Sequence, residues 1–138
     1  MVMDVEVSFT LPLVVVIGSP PRATMAANEI ADVVSGHADV ASARDPEAMA
    51  ALTREDGRQV AVVVIVADDL DVDETLDQLL LLGAIDIDDV RIVVVSWHAE
   101  HRDMARTVDS GRLNALVAHP TEGIVGWMVA SEVRGWLV

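Results

Sequence analysis

Four short segments hold the polar residues that could do chemistry, and each directly follows an apolar run of the chain. They are Gly18-Ser19, Asp68-Asp69, Ser96-Trp97-His98 and His119-Pro120. A serine beside a histidine can act as a hydrolytic nucleophile, but it needs a sharp turn and backbone donors for the oxyanion. Ser96 has neither the G-x-S-x-G turn nor neighbouring glycines. We therefore expect no catalytic residues and no enzyme.

The residue types at these segments also argue against a bound ion. Three histidines near the segments lack a convincing carboxylate partner for a metal, and the alternating aspartates from Asp69 to Asp73 lack the glycine and glutamate of a calcium loop. Gly18-Ser19 could bind a phosphate at a helix start, but Pro20 and Pro21 remove two backbone donors. A plain turn and a solvated acidic loop are the simpler interpretations. No metal and no cofactor is predicted.

The composition limits the partners. The chain has 138 residues, the length of one domain, of which 52% are hydrophobic, and its net charge is −14. It contains no lysine and no cysteine. Such a charge repels nucleic acid and anionic membrane surfaces, and without cysteine there is no disulfide or thiolate chemistry. The apolar runs are too short to span a bilayer, and no basic segment near Met1 marks a signal peptide. We expect a cytoplasmic protein that binds other proteins.

Alternating strand and helix signals predict the elements that position these segments. Three apolar, β-branched runs are continuous, as in strands covered on both faces, and two weaker runs join them. The five are Leu13–Ile17, Asp39–Ala43, Val60–Val66, Val90–Val95 and Ala115–Ala118. Inward-facing residues with helical spacing lie between the runs; they include Ala26, Ile30, Val33, Ala48, Met49, Leu76, Met104, Ala105, Val108 and Val125. The alternation predicts an α/β domain with an open, doubly wound parallel sheet. Ligands of such sheets bind at the carboxyl ends of the strands, where the four segments lie.

The order of these pieces resembles the receiver domain of bacterial response regulators over residues 13–138. The resemblance is carried by VVVIGSPPR at 14–22, VVVSWHAEHRDMARTVDSG at 93–111 and ALVAHP at 115–120. It implies a CheY-like, flavodoxin-like (βα)5 fold with strand order 2-1-3-4-5. Residues 1–12 are then an amino-terminal arm or an extra strand outside the domain.

The departures from the receiver pattern fall on the residues that do its chemistry. Receivers hold Mg²⁺ with an acidic pair after the first strand and with the phosphorylated Asp, and a Lys neutralises the phosphoryl group. Here Gly18 and Ser19 stand in place of the pair, and His119 stands in place of the Lys. Asp68 is the candidate phospho-acceptor, although an ungapped count places Ala67 there, and Ser96 matches the Ser/Thr of the family. The resemblance therefore implies a degenerate receiver, or pseudo-receiver.

The resemblance implies a signal-transduction module that acts through protein contacts, without phosphorylation, on a protein partner or a carboxyl-terminal effector domain. Two alternatives remain open. One is a small-molecule-binding domain of the same fold, with its pocket above Gly18, Asp68 and Ser96. The other is an atypical receiver that is phosphorylated on Asp68.

Tryptophans are the candidate interface residues. Trp97 either covers the top of the sheet or contacts a partner, while Trp127 and Trp136 lie outside the stripe that the last helix needs for the core. We predict a homodimer through the last helix and the edge of the fifth strand, to which the amino-terminal arm contributes. The similarity to receivers, whose Lys-Pro bond is commonly cis, also predicts a cis peptide bond between His119 and Pro120.

Overall fold

Five parallel strands form one sheet in the order β2-β1-β3-β4-β5, in a computed structural model that describes residues 11–67, 71–86, 89–97 and 113–137. The strands are β1 Leu13–Ile17, β2 Asp39–Ala43, β3 Val60–Val66, β4 Arg91–Ser96 and β5 Ala115–Ala118. The helices are α1 Arg22–Val34, α2 Pro46–Asp56, α3 Val72–Leu81 and α4 Ile124–Leu137. This confirms the predicted flavodoxin-like fold and its strand order.

The hydrophobic pattern of each strand matches its place in the sheet. Every residue of β1 is buried, as are nearly all of β3 and β4, because helices cover both faces of the central strands. β2 and β5 form the two edges and keep several half-buried or exposed positions. The continuous valine runs are therefore central strands, and the weaker runs are edge strands.

Alternate side chains of each central strand enter two separate cores. On one face, Val14 and Val16 pack with α1 and α4, for example against Ile30 and Val129. On the other face, Val15 and its alternate neighbours pack with α2 and α3, against side chains such as Met49 and Leu79. These helix residues are all 0% exposed. Burial on this scale supplies most of the free energy that favours folding.

Local signals in the sequence fix the starts of two helices. The Asp45 carboxylate accepts a hydrogen bond from the backbone N–H of Ala48 at 2.8 Å, and Asp71 accepts one from Glu74 at 3.0 Å. Each satisfies a donor that the first turn of a helix leaves without a backbone partner. At the end of α2, Gly57 takes a left-handed conformation (φ 68°), and its N–H bonds to the carbonyl of Thr53.

Two predicted core residues are exposed, and two predicted segments lie outside the described residues. Val33 and Ala48, which we expected to face the core, are exposed. The helix predicted around Met104, Ala105 and Val108 lies outside the described residues, as do the first ten residues of the arm. None of the described helices is long and apolar enough to cross a membrane.

Candidate functional site

Backbone hydrogen bonds bring the carboxyl ends of the strands together at one edge of the sheet. The N–H of Gly18 donates to Ala43 at 3.1 Å, and the N–H of Ala67 donates to Val95 at 2.9 Å. The N–H of His119 donates to the carbonyl of Ser96 at 2.8 Å. We refer to this edge, from Gly18 to His119, as the strand-end edge. It contains four of the five predicted receiver-site counterparts, and the fifth, Asp68, lies outside the described residues.

Gly18 has no room for a side chain. A Cβ placed on it would lie 2.8 Å from the Cβ of Val66 and 3.3 Å from the Cβ of Ala23. Real Cβ atoms do not approach so closely, because packed interiors leave no space for an additional carbon atom. The backbone at the end of β1 therefore fits against β3 and α1 only as glycine. Its neighbour Ser19 is exposed.

Ser96 and Trp97 end β4 with their side chains largely enclosed. Ser96 is 4% exposed, and Trp97 packs partly buried against the core under α1 and α4. The guanidinium carbon of Arg22 lies 5.1 Å from the centroid of the Trp97 ring. A cation at that distance is attracted to the negative face of an indole ring. Trp97 thus packs against the core at this part of the edge, and Arg22 lies over its ring.

His119 lies on the surface in an uncommon backbone conformation. Its side chain is exposed, and its φ is 47°, in the left-handed region that few non-glycine residues adopt. The predicted cis bond to Pro120 is wrong: that bond is trans, and the cis bond among the described residues joins Pro20 and Pro21. The proline turn of the family does not carry over to this position.

The structure provides no metal-binding group where it describes the chain. In that part, no three His, Asp or Glu side chains come close enough together to hold an ion. Asp68, Asp69 and His98, which entered the sequence-based interpretations, lie outside it. Ala67, the other candidate for the acceptor position, is half-buried at the end of β3.

Next to the strand-end edge, a cleft of about 530 Å³ opens between α1 and the start of α4. Its walls include Trp97 and Pro120 from the ends of β4 and β5, Met25 from α1, and Val125 from α4. We refer to this space as the α1–α4 cleft. The sequence did not predict it, because it forms where segments distant in the chain meet.

Glu29 joins the two helices that form this cleft. One of its carboxylate oxygens accepts the N–H of Gly123 at 2.9 Å, and the other accepts the N–H of Gly126 at 2.8 Å. The first donor directly precedes α4 and the second lies in its first turn, where backbone N–H groups lack helical partners and favour a negative charge. Glu29 therefore caps α4 from α1. Sequence reasoning missed it because it stands in the middle of a different helix.

We expect Glu29→Gln to lower the free energy of unfolding by about 1–2 kcal/mol. A glutamine has one acceptor oxygen for two amide donors, and it lacks the charge that the helix start favours. The midpoint of urea unfolding measures the effect. Asp32→Asn is the matched control, since Asp32 is an exposed acid on the same helix, and its effect should stay within about 0.5 kcal/mol. Equal losses for both variants would contradict the capping role.

The two tryptophans of α4 differ in environment. Trp127 is 56% exposed, whereas Trp136 is half-buried against the α1–α4 side of the core. The indole N–H of Trp136 donates to the backbone carbonyl of Asp89 at 2.6 Å. Trp127 thus remains available as an interface residue, while Trp136 joins α4 to the segment that precedes β4.

No protein-family model matches the sequence, and no curated protein matches it significantly. Solved structures share its fold. The receiver domain of a putative LuxO repressor protein from Vibrio parahaemolyticus has a TM-score of 0.68 at 11% identity, over 93% of this chain and 94% of that one. The receiver domain of an HD domain-containing protein from Pseudomonas fluorescens has a TM-score of 0.66 at 13% identity, over 98% and 96%.

A third similar structure is not described as a receiver domain. A putative pilus assembly-related protein from Burkholderia pseudomallei has a TM-score of 0.60 at 15% identity, over 90% of each chain. At such identities the likeness shows that this chain has the fold of receiver domains. It does not transfer the activity of any of these proteins, because one fold supports many functions.

Proposed function

We propose that this chain is a receiver-like regulatory module that acts in signal transduction through protein–protein contacts and does not depend on phosphorylation. The shared fold with receiver domains supports the first part. The lack of space for a side chain at Gly18 is the main support for the second part, independence from phosphorylation. The proposal assigns residues 13–138 to the module and residues 1–12 to an amino-terminal arm or an extra strand outside it.

Phosphorylation of a receiver-like site requires compensation for a large negative charge. Transfer of a phosphoryl group relies on a divalent ion to offset charge on its oxygens, and Mg²⁺ binds through carboxylates in octahedral geometry. The contact between Gly18 and Val66 excludes an acidic side chain after β1, and Ser19 beside it is uncharged. The whole sequence contains no lysine that could neutralise the phosphoryl group. These features support a module without the phosphoryl chemistry.

The same edge offers little to a catalytic mechanism. Ser96 is buried, so its hydroxyl does not reach a substrate in solution, and His119 is exposed at the end of the neighbouring strand. We therefore propose no catalytic role for either residue. Regulation is proposed to occur when a protein partner or an attached effector domain contacts the surface of the module.

The homodimer expected through the last helix and the edge of β5 stays a prediction. β5 lies at an open edge of the sheet and Trp127 is exposed, which leaves both available for contact. Trp136 stays a candidate interface residue, although part of its side chain packs within its own chain.

A phosphoryl donor tests the proposed function directly. With Mg²⁺ and acetyl phosphate, or with beryllofluoride, we expect no change in intact mass and no change in tryptophan fluorescence. Trp97 makes the fluorescence sensitive, since it lies at the end of β4 next to Ser96. A conventional receiver treated in parallel shows that the donor is active. An adduct that depends on Mg²⁺ and maps to Asp68 or Asp69 would instead establish the atypical receiver.

A further inference from the structure

We infer that the α1–α4 cleft is the docking site for a positively charged, amphipathic helix of a partner protein. The inference rests on the proposed function, because it names the surface through which such a module would make its protein contact. Three properties of the cleft support it: its apolar walls, the line of exposed side chains beside it, and its charge.

Several residues that line the cleft are apolar; Met25 is exposed among them, Trp97 and Pro120 are half-buried, and Val125 is buried. Met25 is 60% exposed, although it stands in the first turns of a helix whose other apolar residues are mostly buried. Trp97, Pro120 and Val125 lie around the same space. A cleft of about 530 Å³ with such walls can accept one or two large apolar side chains from a partner. Burial of the exposed area of Met25 then favours binding.

The exposed apolar side chains continue along the seam between the two helices. The bonds from Glu29 to Gly123 and Gly126 show that this part of α1 faces α4. Met25 and Val33 stand four residues before and after Glu29, so the three form one stripe on the helix. Val33 is 46% exposed, and Trp127, which directly follows Gly126, is 56% exposed. A seam between two helices with apolar residues at this spacing suits a third helix.

The charge of the cleft indicates which charge its partner should have. Glu29 and Glu122 line it, its described lining residues include no Lys, Arg or His, and Arg22 lies beside it over the Trp97 ring. The chain as a whole has a net charge of −14. Basic side chains beside the apolar face of a partner helix would therefore be steered toward the cleft and paired there. A second copy would bring its own net charge of −14 to a cleft lined by two acids, so we assign this cleft to a basic partner.

A designed peptide tests the inference. The probe is a fluorescent amphipathic helical peptide with leucines on one face and arginines on the other, titrated with the full chain and followed by anisotropy. A peptide of the same composition in scrambled order controls for charge alone. We expect the amphipathic peptide to bind at least about tenfold more tightly than the scrambled one. Its binding should shift the amide resonances of Gly123 and Gly126 and leave those of Gly57 and Gly83 in place.

Two matched pairs of variants locate the site. Glu122→Gln and Glu47→Gln each remove one exposed acid, but Glu47 lies on α2, outside the cleft. Met25→Ser and Leu81→Ser each remove an exposed apolar side chain, and Leu81, 89% exposed, lies at the end of α3. The two cleft variants should weaken binding about fivefold or more, and the two controls by less than about twofold.

Several results would overturn the inference. Equal losses within each pair would mean that the peptide binds wherever the chain is negative. Absence of binding would show that the cleft takes no such helix. Self-association that the peptide reverses, seen by sedimentation, would make a second copy the occupant. If any of these occurs while phosphoryl donors still leave the chain unchanged, the docking site is wrong and the proposed function stands.

Discussion

A Gly18→Asp variant should be less stable than the parent chain by about 3 kcal/mol. The first carbon of any side chain there would lie 2.8 Å from the Cβ of Val66, which belongs to the central strand β3. Both residues are fixed by the sheet, where Ile17 pairs with Ile65, so neither can move without shifting a strand. The carboxylate would also have to be placed in a region where Val66 and Ala23 already pack against Gly18, which adds a cost of desolvation.

The neighbouring residue provides the control for this variant. Ser19→Asp adds the same carboxylate one residue further along, at an exposed position, and should change stability by less than about 0.5 kcal/mol. The difference in urea midpoint between the two variants measures how strongly the packing at position 18 opposes a side chain there. If Gly18→Asp matched Ser19→Asp in stability, the position would be open, and the main support for a phosphorylation-independent module would fail.

The fold could be predicted because its signals are local. Continuous β-branched runs identify central parallel strands without reference to any partner, since only a strand covered on both faces tolerates valine at every position. The carboxylates of Asp45 and Asp71 each accept a hydrogen bond from the backbone N–H three residues later in the chain. Both the capping residue and the residue that donates to it are therefore visible in a short stretch of sequence. Local signals did not give the strand order, which was predicted from the resemblance to receivers. The parallel pairing of β1 with both β2 and β3 confirms that order.

The site was harder to predict because its contacts are distant in sequence. Glu29 binds amides that lie 94 and 97 residues further along the chain, and nothing near Glu29 marks it as a cap. Arg22, at the start of α1, lies over the ring of Trp97, which follows β4 and is distant in the chain. The identity of residue 18 was plain from the sequence, but the reason for a glycine there was not, since it depends on how closely β1 approaches Val66. Patterns of residue type therefore located the strand-end edge, while the three-dimensional packing determined what it can hold.

Val33 illustrates the same limit on a smaller scale. Its helical spacing with Ile30 and Val34 predicted a core position, yet it is 46% exposed. Helical periodicity gives the angle of a residue around its axis, but it does not say where the neighbouring helix ends. Here α4 approaches α1 so closely at Gly126 that Val33 is placed at the outer rim of the contact.

A Gly126→Ala variant should be less stable by about 2 kcal/mol, although alanine favours helices over glycine by up to about 1 kcal/mol. The added methyl would lie 2.8 Å from a Cγ of Val33 and 2.9 Å from the backbone carbonyl oxygen of Glu29. Val33 can change rotamer, but the carbonyl belongs to α1 and cannot. The two helices must separate, and the bond from the Gly126 N–H to Glu29 lengthens.

Gly135→Ala in the same helix should instead increase stability. The nearest described atoms to a Cβ there belong to the Arg91 guanidinium, at 3.7 Å or more, which is an ordinary contact. Without a clash, the lower entropy of alanine in the unfolded chain raises stability, by up to about 1 kcal/mol. Thermal unfolding of the two variants side by side therefore isolates the packing of α4 on α1 from helix propensity. If both variants were stabilised, the helices would not be in close contact at Gly126, and neither the cap from Glu29 nor the cleft between α1 and α4 would have the geometry described.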